Sequence, residues 1–168
     1  AGQSVLEADT RISATGQFAS TSRARLYYQI PSARRIVSIG FENETTSPES
    51  STQTGEFTPG RLERFDLAAG ESFSQNYSAR VDISAGGFTF SSTSQTQSTT
   101  SFDGIESVTV PAGTVQACRF TENESTDGEQ FRIVTWVGVG NGLLIRQTES
   151  EENTVSELVS GSVNGADI

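Results

Sequence analysis

The chain of 168 residues lacks most of the side chains on which enzymes rely. It contains no histidine and no lysine, and all eleven basic residues are arginines. Histidine-dependent triads, imidazole metal ligands, Schiff-base amines and phosphate-loop lysines are therefore excluded. Carboxylates, arginines, tyrosines and one cysteine remain, and their spacing forms no catalytic constellation. We therefore predict that the protein is not an enzyme and has no catalytic, cofactor-binding or metal-binding residues.

The single cysteine, Cys118, lies in Ala117–Phe120, where we predict a strand. A lone cysteine forms no internal disulfide. The sequence places no base or helix N-terminus beside it that would activate the thiol. We interpret Cys118 as a small buried apolar residue.

The segment Gly138–Gly142 (Gly-Val-Gly-Asn-Gly) has the composition of a glycine-rich phosphate loop. Such a loop requires a following helix, but Leu143–Ile145 has the pattern of a strand. Asn141-Gly142 is a strong signal for a tight hairpin turn, so we predict a turn here.

Acidic residues form two clusters, one of Glu122, Glu124, Asp127 and Glu129 and one of Glu149, Glu151 and Glu152. Calcium prefers such oxygen ligands, but neither cluster has the spacing of a calcium-binding loop. We favour a solvated acidic face and leave calcium binding open. Glycosylation of the three Asn-x-Ser/Thr sequons, at Asn43, Asn76 and Asn123, is also left open.

The net charge of −10 and the isoelectric point near 4.4 oppose binding to phosphate backbones, so we expect no nucleic-acid partner. No run of about 18 apolar residues occurs, so we expect no transmembrane segment. Serine and threonine supply 44 of the 168 residues, and the chain begins at Ala1. We expect an exported protein, extracellular or in a bacterial cell envelope, whose signal peptide has been removed.

Apolar residues recur with a period of two rather than with helical spacing. The clearest case is Phe73–Ile83, where Phe73, Tyr77 and Val81 alternate with polar residues. Ala85-Gly86-Gly87 supplies a turn, and Phe88–Phe102 is predicted to form the second arm of a long hairpin. The core is predicted to include Phe73, Tyr77, Val81, Val108, Val110, Phe131 and Trp136.

Further strands are predicted at Phe18–Ile30, Arg35–Phe41, Arg61–Leu67, Ile105–Val110, Val115–Thr121, Gln130–Val137, Leu143–Thr148 and Thr154–Val159. The segment Glu42–Gly60 is rich in hydroxyl residues and contains two prolines, so we predict a long loop. The fold class is all-β: a single antiparallel curved sheet, half-barrel or sandwich, with nine to eleven strands and very little helix.

Several motifs occur in a fixed order: Asp103–Thr114, then Cys118-Arg119-Phe120, Thr135-Trp136, Gly138-Val139-Gly140 and Leu143–Arg146. Together with Leu67–Glu71, they span residues 61–148. This stretch resembles bacterial exported β-sheet proteins of the DUF3108-like or TapB-like families. The resemblance implies an antiparallel, curved sheet in an envelope or secreted protein, and it brings no established catalytic residues.

We expect a single β domain over residues 1–168, with a possible extended N-terminal arm at 1–17 and a polar tail at 161–168. The expected function is that of a structural β protein, extracellular or at the cell surface, that assembles into filaments or surface layers by strand addition. The uncharged stretch Phe88–Ser101 would be the receiving edge and residues 1–17 the donor. Alternatively, that N-terminal segment packs on its own domain, or the protein is an envelope carrier of an apolar or lipid ligand.

Overall fold

The computed structural model describes residues 4–14, 20–47, 49–150, 154–163 and 166–167. Their fold is all-β, as predicted, and ten strands form one antiparallel sheet in chain order. The strands are β1 (Leu6–Ala14), β2 (Ser20–Ser32), β3 (Arg35–Ser47), β4 (Ser51–Arg64), β5 (Ser72–Ala85), β6 (Phe88–Val110), β7 (Gly113–Thr126), β8 (Glu129–Gly138), β9 (Leu144–Glu149) and β10 (Thr154–Glu157). The described ranges contain no helix, and hence none that could cross a membrane.

Tight turns connect most neighbouring strands, at the places where glycine pairs predict them. Gly86 and Gly87 both have positive φ, 56° and 82°, as a type I′ hairpin turn requires. Asp127 and Gly128, between β7 and β8, also have positive φ, 51° and 95°. The strands predicted at Gln130–Val137 and Leu143–Thr148 are present as β8 and β9, and they pair with each other.

The prediction of a long loop at Glu42–Gly60 is wrong. β3 continues to Ser47 and β4 begins at Ser51, and Glu42, Asn43 and Glu44 pair with Thr54, Gln53 and Thr52. Threonine has high β propensity, and backbone pairing does not need an apolar face. The sequence pattern gave no hydrophobic alternation here, because both faces of this hairpin are largely polar.

Two other predicted strands merge into one. Phe88–Phe102 and Ile105–Val110 are both parts of β6, which runs for 23 residues. Gly104, with φ of 135°, lets the backbone continue through the intervening Asp103-Gly104 without ending the strand.

β4 and β5 stay connected beyond the last regular pair through a side chain. The backbone pairing ends at Thr58 and Ser78. Farther along, the Gln75 amide donates from Nε2 to the Leu62 carbonyl, and its Oε1 accepts from the Leu62 N–H, at 2.9 and 2.8 Å. The side-chain amide thus takes both roles of a strand residue and satisfies a backbone that would otherwise lack a partner there.

The chain divides into two compact units. Unit 1 comprises Ala1–Asp66 and Gln75–Thr96, and unit 2 comprises Leu67–Ser74 and Gln97–Ile168. Unit 2 contains an apolar core of Val108, Val110, Ala117 and Ile145. In unit 1, the Phe41 ring lies flat on Gly55, where a Cβ would approach Phe41 Cε1 to 2.1 Å.

The predicted core is partly wrong. Tyr77, Val108 and Val110 are buried, but Trp136, Phe73, Val81 and Phe131 are only half-buried. The fully buried residues are instead Ala117 and Ile145. The pairing of β8 with β9 skips Ile145, because Trp136 pairs with Arg146 and Val137 pairs with Leu144. A bulge of this kind redirects the extra residue, which a strict alternation rule misassigns.

Hydroxyl groups occupy interior positions that apolar side chains usually fill. Thr96, Ser98 and Thr121 are buried. Ser98 donates to Glu122 at 2.5 Å, and Thr121 donates to Asp103 at 2.6 Å. A hydrogen bond to a carboxylate offsets the cost of removing a hydroxyl from water. The polar centre of β6 is therefore compatible with an interior position.

The predicted polar tail at 161–168 contains two short paired strands, β11 (Ser162–Val163) and β12 (Ala166–Asp167). Residues 164, 165 and 168 lie outside the described residues.

Candidate functional site

The N-terminal segment forms an edge of the sheet. β1 pairs with β2 along all nine residues, from Leu6 with Tyr28 to Ala14 with Ser20. Residues 1–3 and 15–17 of the predicted arm lie outside the described residues. Within the described ranges β1 has no second neighbour. Its outer backbone groups therefore face away from the sheet, as in any edge strand.

The predicted receiving edge, Phe88–Ser101, belongs to β6, which lies between β5 and β7 in the sheet order. Ser98 and Ser101 contact Glu122 and Thr121 of β7, so this end of the stretch is not an open edge. For the rest of the stretch the receiving edge stays a prediction. The terminal strands of the sheet are β1 and the four-residue β10.

Charged residues on β1 occupy alternate positions, Glu7, Asp9 and Arg11, and all three are exposed. Asp9 accepts from Arg23 Nε at 2.8 Å and from Arg23 Nη2 at 2.5 Å. This bidentate pair lowers the pKa of Asp9 below its usual value and raises that of Arg23. Arg11 lies opposite Arg23, so its own cross-strand neighbour has the same charge.

The ion pairs continue onto the neighbouring strands. Arg25 Nη1 lies 2.6 Å from Glu42 Oε1, and Glu7 and Glu44 lie within 4.0 Å of the same guanidinium. The Glu42 carboxylate also accepts from the Tyr27 hydroxyl at 3.3 Å and raises the pKa of Arg25. These contacts satisfy most of the charges beside β1, but they leave Arg11 without an ion-pair partner among the described residues.

The even-numbered residues of β1 border a shallow groove in unit 1. Ala8 and Thr10 line it together with Leu26, Phe41 and Phe57, and its volume is about 480 Å³. Leu26 is 39% exposed. The Phe41 and Phe57 rings lie 6.0 Å apart. The groove therefore offers small and aromatic apolar surfaces to a ligand, and the ion-paired residues Arg61 and Glu63 are also in its lining.

In unit 2 five side chains form a row across the neighbouring strands β6 to β10: Asp103, Arg119, Trp136, Arg146 and Glu157. Trp136 pairs in register with Arg119 on β7 and with Arg146 on β9. The two guanidinium carbons lie 5.6 and 5.4 Å from the Trp136 ring centroid, a cation–π arrangement. Asp103 lies 3.5 Å from Arg119 and Glu157 lies 3.5 Å from Arg146.

Trp136 packs against the unit 2 core but stays half-buried. Its indole N–H donates to Glu106 at 2.5 Å, so its polar edge stays at the surface. Trp136 also lines a shallow pocket of about 380 Å³ together with Arg119, Arg132 and Thr148. The contacts of the ring with Arg119 and Arg146 stabilise the sheet.

Other motifs have structural roles. Gly138–Gly142 is a turn, in which the Gly142 N–H donates to the Gly138 carbonyl at 3.0 Å. Cys118 is half-buried, and burial raises the pKa of its thiol, which favours the protonated form. No group of three or more His, Cys, Asp or Glu side chains could hold a metal ion in the described part of the chain.

The edge strand was detectable in the sequence. Leu6–Ile12 alternates apolar or small residues with charged ones, the pattern of a half-exposed strand. We predicted an extended arm over 1–17 rather than this strand, although Ala8 and Thr10 are the only positions of the apolar set that are not large and apolar. Comparison with known proteins found no matching family model, no matching curated protein and no matching solved structure.

Proposed function

We propose that this chain is a non-enzymatic structural β protein, extracellular or in a bacterial cell envelope, that associates with copies of itself through a sheet edge. One observation carries the proposal: β1 presents a nine-residue edge without a second neighbour among the described residues. Natural sheets protect such edges with charged side chains, lysine above all, or with proline or bulges. β1 contains no lysine or proline, and its pairing with β2 is regular throughout. Its charged residues, Glu7, Asp9 and Arg11, include both signs, so two copies of β1 can place opposite charges together.

The segment that would pair with a second copy is β1 within its own sheet, rather than a free N-terminal arm. Because β1 is already paired with β2, it acts as an added strand while remaining in its own sheet. The β10 edge is shorter, with four residues, so β1 offers more backbone pairs to a neighbour. Each backbone pair formed with another copy needs no particular side chain, which suits a chain without histidine or lysine.

The proposed location rests on composition and resemblance. The hydroxyl-rich, acidic composition and the motifs of residues 61–148 support an exported protein of the DUF3108-like or TapB-like kind. The net charge of −10 keeps separate copies apart at low salt, so edge pairing would strengthen as salt screens that repulsion.

The test uses the full chain with two added charges. Ala8→Lys combined with Thr10→Lys places ammonium groups on the edge, the device by which natural sheets prevent pairing. Sedimentation velocity over a wide concentration range is expected to show association for the wild type and a monomer for this variant. The matched control, Gln97→Lys with Thr99→Lys, adds the same charge with the same spacing at exposed positions of β6 and is expected to associate. These positions flank Ser98, which contacts Glu122 of β7, so they lie inside the sheet. A wild type that stays monomeric contradicts the proposal.

A second candidate function is favoured by the groove beside Leu26. Its volume falls within the range of ~300–1,000 Å³ that small-molecule sites occupy. Phe41 and Phe57 supply apolar surface. Arg61 and Glu63 also line the groove and lie 3.6 Å apart, so the arginine already has a carboxylate partner. An apolar chain, such as the tail of a fatty acid, would match the aromatic surface.

Native mass spectrometry of the purified protein tests this second function. A carrier is expected to retain an apolar ligand, or to take up a fluorescent fatty acid. Leu26→Asp is expected to abolish uptake, whereas Val155→Asp, at an exposed apolar residue of unit 2, leaves it unchanged. Absence of both retained ligand and uptake excludes the carrier.

A further inference from the structure

We infer that β1 pairs with the β1 of a second copy in one particular register, antiparallel, with a two-fold axis through Thr10. This inference rests on the proposed function and specifies its interface. In that register residue i of one copy faces residue 20 − i of the other. Thr10 then faces Thr10, Asp9 faces Arg11, and Glu7 faces the uncharged position Ser13. All nine residues of β1 take part.

Backbone geometry limits the registers that are available. Along a strand, alternate residues direct their N–H and C=O groups to opposite sides, and side chains alternate between the two faces. Two identical edge strands can therefore pair only when residues of the same parity face each other. The sum of facing residue numbers must be even, which leaves 16, 18, 20, 22 and 24 as registers that pair at least five residues of β1.

Charge and length together distinguish among these five registers. With a sum of 18, Asp9 faces Asp9. With a sum of 22, Arg11 faces Arg11, and with a sum of 16, Glu7 faces Asp9. Like charges directly opposite each other destabilise a pair of strands. The sums of 20 and 24 both avoid such contacts. The sum of 24 pairs only five residues and gives Arg11 no acidic partner, whereas the sum of 20 pairs all nine and joins Asp9 to Arg11.

The side chains that this register joins are available. Arg11 faces Arg23 within its own sheet and has no ion-pair partner among the described residues. Asp9 is engaged by Arg23, but its side chain remains 35% exposed, and a carboxylate can accept from more than one guanidinium. The Arg11 of a second copy can therefore approach Asp9, and the two-fold axis produces this contact twice.

Cysteine cross-linking tests the register. In a Cys118→Ser background, Thr10→Cys places two thiols opposite each other at the axis, where facing Cα atoms lie ~4.5–5.5 Å apart, within the range of a disulfide. Ala8→Cys is the matched control on the same face. It faces position 12, so the two thiols would be separated by four residues, about 13 Å along the strand. Rapid covalent dimerisation is expected for Thr10→Cys alone.

Cross-linking and sedimentation together distinguish a wrong register from a wrong proposed function. If the wild type associates by sedimentation but Ala8→Cys cross-links as fast as Thr10→Cys, the register is wrong and edge association stands. If the wild type associates and neither variant cross-links, the register is equally overturned. If the wild type stays monomeric, the proposed function fails and the register fails with it.

A charge exchange gives an independent test without cysteine. Arg11→Asp puts two carboxylates opposite each other, and Asp9→Arg puts two guanidiniums opposite each other. Each variant alone is expected to dimerise at least about tenfold more weakly than the wild type. An equal mixture is expected to form a heterodimer of near wild-type strength. Both facing pairs at positions 9 and 11 then join a carboxylate to a guanidinium. A mixture no stronger than the separate variants overturns the register. Circular dichroism checks folding, and if Asp9→Arg does not fold, the Arg11→Asp result decides: an undiminished dimer refutes the inference.

Discussion

The two units of this protein stabilise their strands in different ways. Six of the seven buried apolar residues in the described chain belong to unit 2, where four of them form the core around Ala117 and Ile145. Unit 1 contributes only Tyr77. It instead has ladders of ion pairs, such as Asp9–Arg23 and Arg25–Glu42, and an exposed apolar groove.

The difference shows how a chain with little apolar material can form a large sheet. Burial of an apolar side chain contributes about 1.5–3 kcal/mol, whereas an exposed ion pair contributes about 0–1 kcal/mol. Unit 1 is therefore expected to be the less stable unit, and it is also the one that bears the open β1 edge. Pairing with another copy would add backbone hydrogen bonds where the apolar contribution is smallest.

Intrinsic fluorescence can follow the units separately. The only tryptophan, Trp136, lies in unit 2, and all three tyrosines, Tyr27, Tyr28 and Tyr77, lie in unit 1. Tryptophan and tyrosine signals therefore report on different units during unfolding.

The largest expected effect is at the centre of the unit 2 core. Ile145→Ala removes most of a fully buried side chain and is expected to cost about 3 kcal/mol of unfolding free energy. Leu26→Ala, at a 39% exposed residue of unit 1, is expected to cost less than about 1 kcal/mol. Urea unfolding measures both. Equal losses at the two positions would contradict the contrast between the units.

Trp136→Ala is expected to have the next largest effect, about 2 kcal/mol, because the indole is half-buried between two arginines. A fully packed tryptophan would cost about 3–5 kcal/mol. Trp136→Phe retains an aromatic ring for Arg119 and Arg146 but loses the N–H bond to Glu106, and about 1 kcal/mol is expected. Urea unfolding followed by circular dichroism measures these losses. A loss of 4 kcal/mol or more for the alanine variant would place the indole in the core.

Salt is expected to lower the unfolding free energy of unit 1 more than that of unit 2, and by less than the core substitutions do. Raising the NaCl concentration screens exposed ion pairs, so unit 1 is expected to lose about 1 kcal/mol by its tyrosine signal. The tryptophan signal of unit 2 is expected to change less. A larger salt effect on the tryptophan signal would refute the assignment of ion-pair stabilisation to unit 1.

The smallest expected effect is a pH dependence at Asp66. Hydrogen bonds from Arg64 and Arg35, each 2.8 Å long, lower the pKa of Asp66 to about 2. A carboxylate with a lowered pKa stabilises the fold above its ordinary pKa, and that contribution is lost as pH falls from about 4 to about 2. Asp66→Asn is expected to lower the unfolding temperature at neutral pH and to match the wild type near pH 2. A constant difference across this range would contradict the pairing.

The sequence predicted the hairpins well because their turns carry strong local signals. Gly86-Gly87, Asp127-Gly128 and Asn141-Gly142 each identify a connection without any knowledge of the rest of the fold. The apolar alternation of Phe73–Ile83 likewise predicts β5 correctly.

The remaining features depend on contacts that are distant in sequence. The β3–β4 hairpin lacks an apolar pattern, so the sequence of Glu42–Gly60 indicates a loop. Its strands are defined by the pairing of β3 with β4 and of β4 with β5. The burial of Ile145 follows from a bulge, and that of Ser98 follows from a carboxylate 24 residues away. Which strand is an edge is a property of the sheet order, so Phe88–Ser101 could not be placed from its composition.

Hydrogen–deuterium exchange at low and high protein concentration tests the central claim, that β1 is a self-association edge, most directly. The account predicts that amide protection within residues 4–14 rises with concentration while protection within β10 does not change. Outward N–H groups of β1 would acquire hydrogen-bond partners only in the associated form. Protection of β1 that does not depend on concentration, or a rise confined to another strand, would contradict the account.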